Sequence, residues 1–123
     1  MRPLSIYVWY YIFMRLFRKT VNLKYSDNLF LSPGIDEAKL PKLQKKIEKG
    51  KGKVVLLLRS EDKDDLIDIV TPFQLTFRIW EDKEPVVLGL ADDNDEAYEL
   101  VQTILREGLA ESGKSLKEYI CSL

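Results

Sequence analysis

The chain has 123 residues, 46% of them hydrophobic and 32% charged, which suits one small domain with a modest core and excludes disordered or collagen-like chains. It contains no histidine and a single cysteine, so histidine triads, imidazole ligands, intrachain disulfides and thiolate zinc clusters are excluded as well. The formal charge of -1 hides a division, because residues 1–59 carry 13 Lys and Arg against 4 Asp and Glu whereas residues 60–123 carry 6 against 16.

Residues 4–14 hold one non-hydrophobic residue, Ser5, and are followed by Arg15, Arg18 and Lys19. A helix of about 14 residues there would span about 21 Å, short of the roughly 30 Å hydrocarbon layer. Tyr7, Trp9, Tyr10 and Tyr11 also favour an interface over an acyl core. A signal peptide fits poorly, since only Arg2 precedes the apolar run and no small-residue cleavage site follows it. Three readings stand. The segment joins the core as a strand or helix, or it lies on a membrane or partner with Arg15, Arg18, Lys19 and Lys24 facing acidic head groups, or it precedes an ordinary-looking start at Met14. So many aromatics need a cover of some kind. The chain thus divides into an aromatic and basic segment, 1–19, and a single domain, 20–123.

Residues 20–31 read as extended, with a break at Ser26-Asp27-Asn28 and a turn at Ser32-Pro33-Gly34. A helix follows from Glu37 or Pro41 to Lys49, with Leu40, Leu43 and Ile47 as its apolar stripe and Gly50 as its stop. The unbroken apolar run 54–58 predicts a central, well-covered strand, and residues 66–70 predict the next. Phe73, Leu75, Phe77 and Ile79 alternate with polar neighbours and predict a half-buried strand. Pro85 opens a fourth at 86–90. The short loops predict an antiparallel meander. A long helix runs from Asn94 to Glu107, headed by a capping box of Asp93 and Glu96. Ser115 with Glu118 caps a last helix. The expected architecture is α+β, a meander of four or five strands with the long C-terminal helix and the Lys-rich helix together on one face. The other face is left to the N-terminal segment or a second subunit.

One formal motif occurs. Gly108-Leu109-Ala110-Glu111-Ser112-Gly113-Lys114-Ser115 has the spacing of a phosphate-binding loop. It follows a helix instead of a strand, and eight residues after it are too few for a crossover. The structural reading is that Gly108 stops one helix while Gly113 and Ser115 start the next. The acidic groups 61–65, 81–84 and 92–96 sit in turns or at a helix start, where charge is normally solvated or favoured by exposed amides. Asp68 lies within a strand and is expected to face water. Cys121 has no neighbouring base to activate it.

The functional clue is basic. Lys42, Lys45, Lys46 and Lys49, extended by Lys39, Lys51 and Lys53, would either meet a polyanion or be balanced by the acidic half of the molecule. Trp80 is read as covered by a terminal segment or exposed for interaction. The expectation is a cytoplasmic, bacterial-type interaction or regulatory module that is not an enzyme and needs no cofactor. It would act through a sheet face or a charge-polarised surface, on a protein partner or a second copy of itself. Electrostatic nucleic-acid binding through the basic helix and peripheral membrane association through residues 4–19 are the alternatives.

Overall fold

The structure, a computed structural model, describes residues 21–62, 64–111 and 113–123. The readings placed on residues 1–20, including Trp9, Arg15 and Arg18, lie outside the described residues. The elements are β1 (Lys24–Leu31), a 3-10 turn (Glu37–Lys39), α1 (Leu40–Glu48), β2 (Val55–Arg59), β3 (Ile67–Val70), two 3-10 turns (Gln74–Thr76 and Arg78–Trp80), β4 (Val86–Ala91), α2 (Asn94–Ala110) and α3 (Leu116–Ser122).

Val55 to Leu58 are all buried in β2, and every residue of β4 is buried. A strand that is apolar at consecutive positions must be covered on both faces. Val55 and Leu57 pack with Ala97, Leu100 and Ile104 of α2 and Ile120 of α3. Leu56 and Leu58 pack with Ile47 of α1 and Leu75, with Leu40 and Leu43 beside them. Burying each such side chain is worth about 1.5–3 kcal/mol. The Lys-rich helix and the long C-terminal helix therefore lie on opposite faces of the sheet, not together on one.

The sheet is mixed and runs in the order β1-β4-β2-β3. β2 pairs antiparallel with both β3 and β4, while β1 pairs parallel with β4. This is an α+β domain with a four-stranded sheet and three helices, and the meander is replaced by a crossing back over β2. The expected break at Ser26–Asn28 is present as an irregularity in β1, whose register against β4 shifts between Tyr25 and Phe30.

The alternating segment 73–79 is not a strand. Gln74 Oε1 accepts from the Thr71 amide at 2.8 Å, and the Leu75 and Thr76 amides donate to the Pro72 and Phe73 carbonyls. These local bonds compete with a ladder. Of the four alternating residues only Leu75 is fully buried, whereas Phe73 and Ile79 are well exposed. Leu75 plugs the α1 layer, and the turn carries the chain from the end of β3 back to the start of β4.

Some helix ends follow their local signals, but Gly108 does not stop α2, which runs on to Ala110. Gly50 has φ 71° and follows the last turn of α1. Its amide donates to Ile47 and that of Lys51 to Lys46, the paired bonds of a left-handed helix stop that favours glycine. Space gives a second reason, since a Cβ there would stand 2.1 Å from Thr76 Cγ2.

Candidate interaction surface

α1 turns Leu40, Leu43 and Ile47 inward, which leaves Lys42, Lys45 and Lys46 exposed, with Lys39 and Lys49 exposed at its two ends. Lys42 with Lys46 and Lys45 with Lys49 are like charges four residues apart, mildly destabilising on a helix. Among the described residues the salt bridge is Arg78–Glu81 at 2.6 Å, so none of these lysines is paired there. Lys51 and Lys53 precede β2, whose Val55 lies opposite Ala91. They are at the Asp92 end of the sheet, and no ion pair joins them to it among the described residues.

Beside α1 lies a shallow depression of about 320 Å³ lined by Ile35, Leu43, Lys39, Lys42 and Lys46. The one acid on its rim, Asp36, accepts from the Ala38 amide at 3.0 Å and caps the 3-10 turn. The exposed lysines of α1, with Glu48 among them, lie on one side of the sheet. Glu99, Arg106 and Glu107 of α2 and Lys117 and Glu118 of α3 stand on the other.

Trp80 is half-buried against the α1 layer. It borders a second hollow, of about 270 Å³, with Arg59, Glu61, Asp65, Asp68 and Lys83. The Lys83 ammonium stands 5.2 Å from the centre of the Trp80 ring, within cation–π range. The acidic turns 61–65 and 81–84 lie at the same end of the sheet, through the antiparallel β2–β4 pair. Asp68 is half-buried rather than fully turned to water.

The carboxylates of Asp92, Asp93 and Glu96 lie within 4.8 Å of one another. Hydrogen bonds account for this grouping. Asp93 Oδ1 accepts from the Glu96 amide at 2.8 Å as the cap of α2. Glu96 accepts from the Ser32 hydroxyl at 2.9 Å and from the Gly34 and Asp92 amides at 3.2 Å. The cap expected from Asp93 is present, but Glu96 reaches across to the end of β1.

The phosphate-loop spacing begins inside a helix and does not follow a strand. Gly108 lies within α2, which continues to Ala110, and its missing side chain admits Tyr119 and Leu116. Ser115 accepts from the Glu118 amide at 3.2 Å and caps α3. Cys121 is exposed, and its backbone carbonyl accepts from Arg59 Nη1 at 3.0 Å.

Lys117 plays a part that no periodicity announces. Its ammonium donates to the carbonyls of Ser60, Asp62 and Asp65 at 3.1, 2.9 and 2.6 Å, pinning the β2–β3 loop to α3. Burial, with Glu48 nearby, pushes the Tyr25 hydroxyl up to about 12. Burial and the Glu107 carboxylate raise that of Tyr119.

No family model, curated protein or solved structure matches the chain. Among the described residues no helix is long and apolar enough to cross a membrane.

Proposed function

We propose that the protein is a small non-catalytic interaction module of the cytoplasm, whose α1 face docks on an acidic surface of a partner protein. One observation carries this reading: the sheet stands between the lysines of α1 and the acids of α2 and α3, and no described ion pair neutralises those lysines. A desolvated partner carboxylate would relieve the repulsion among Lys42, Lys45, Lys46 and Lys49, and complementary charge would steer the encounter. Nucleic acid is the lesser reading. The face offers lysines and Gln44, without the arginine forks or stacking aromatics that read bases.

The test is anisotropy of labelled poly-glutamate, a short DNA duplex and anionic vesicles against the full chain over a salt series. Salt-sensitive binding of poly-glutamate that is lost on combining Lys42→Glu, Lys45→Glu and Lys46→Glu, with the circular dichroism spectrum unchanged, supports the proposal. Tighter binding of the duplex, or poly-glutamate binding indifferent to the three reversals, overturns it.

A further inference from the structure

α2 carries more apolar surface than the fold uses. Its inner stripe, Ala97, Leu100, Ile104 and Gly108, is buried. A second stripe runs beside it through Tyr98, Val101, Leu105 and Leu109. At about 100° per residue these four share an arc of about 80° on one side of the helix. Val101 and Leu105 are half-buried against the core, but Tyr98 is 58% and Leu109 72% exposed. Single exposed apolar residues are ordinary, whereas an aligned row of them marks a contact surface. The spacing 98, 102, 105, 109, with Gln102 its one polar member, is that of a two-helix seam, and it places Glu99 and Arg106 directly beside the seam.

Charge beside the stripe selects the occupant. Glu99 and Arg106 are exposed and seven residues apart, so they lie on the same flank of the stripe, two turns from each other. Neither has an ion-pair partner among the described residues. In an antiparallel helix pair, residues of one flank face the same flank of the neighbour. A second α2 would then bring Glu99 of each copy toward Arg106 of the other, while Tyr98 and Leu109 meet across the seam. A parallel pair makes neither match.

We infer that the outer face of α2 is a self-association surface occupied by α2 of a second copy, antiparallel about a two-fold axis. Such a contact is isologous and closed. It leaves both α1 faces outward and stands independently of their proposed role. A seam of one helix per subunit is small against the roughly 1,200 Å² of standard stable interfaces, so the dimer is expected to be weak and reversible.

Sedimentation equilibrium of the full chain, up to about 1 mM, a Kd worth about 4 kcal/mol, reads the outcome. The expected result is a reversible dimer that Leu109→Glu and Tyr98→Glu each weaken at least tenfold without moving the thermal midpoint. Arg106→Glu weakens it as well, and adding Glu99→Arg to Arg106→Glu restores it. A monomer throughout overturns the inference, as does a dimer indifferent to Leu109→Glu and Tyr98→Glu, which would assign association to another surface. Failure of the double charge exchange to restore the dimer overturns the antiparallel arrangement.

Discussion

The Ser32 hydroxyl donates to the Glu96 carboxylate at 2.9 Å across 64 residues of sequence. This bond ties the end of β1 to the first turn of α2, and the Asp92 amide donates to the same two side-chain oxygens. It fastens the edge strand where the parallel pair ends. Ser32→Ala and Glu96→Gln are each expected to cost about 1.5–3 kcal/mol, as bonds to a charged acceptor do. Urea unfolding measures the loss. A double variant that costs no more than the larger single change would identify one shared interaction.

Lys117→Met should loosen the β2–β3 loop more than the rest of the fold. The variant keeps the aliphatic stem and strips three carbonyls of their charged donor, for about 1–3 kcal/mol. Hydrogen exchange read peptide by peptide should speed up around residues 60–66, with α1 unaffected.

Gly108→Ala tests the meaning of the phosphate-loop spacing. At an exposed helical site this change normally stabilises, by about 1 kcal/mol. Here the added Cβ would stand 2.6 Å from Tyr119 Cδ1 and 2.9 Å from Leu116 Cδ2. The expected sign is reversed, with about 1–3 kcal/mol of destabilisation from overpacking. Lys114→Ala should leave the thermal midpoint in place with or without added ATP.

Tyr25 sets an alkaline limit. Its hydroxyl oxygen is buried and has no hydrogen-bond partner among the described residues. The folded state holds it up to about 12 against an ordinary value of 10.0. The native state therefore binds the proton more tightly than the unfolded one, and its contribution is intact below pH 10. It falls as pH rises from there through about 12, where the phenolate must be buried or the site must open. Tyr25→Phe should flatten that decline and also raise stability at neutral pH, since it removes a buried hydroxyl without a partner. Thermal unfolding as a function of pH, compared between the two proteins, checks both effects.

Features set by neighbours in sequence were legible from the residues alone. The caps at Asp93 and Ser115, the glycine stop at Gly50 and the covered strand around Leu56 each depend on a few adjacent residues. The segment from Phe73 to Ile79 shows the limit. Its alternation matches a strand, but Thr71, Pro72 and Gln74 offer local hydrogen bonds, and only Leu75 is fully buried. A period of two reports which residues are apolar, without reporting whether a neighbouring strand has a free edge to receive them.

The sequence by itself determined that this is a small α+β domain with a lysine-covered helix, an acidic second half and no histidine chemistry. Only the tertiary structure decided where those charges stand. α1 and α2 are each amphipathic, and either face of β2 would have accepted either helix, because Val55 and Leu57 are as apolar as Leu56 and Leu58. The choice was made by long-range pairing, β1 beside β4 and β4 beside β2, which no local pattern encodes. That pairing puts the sheet between lysine and carboxylate and leaves the two charged surfaces apart.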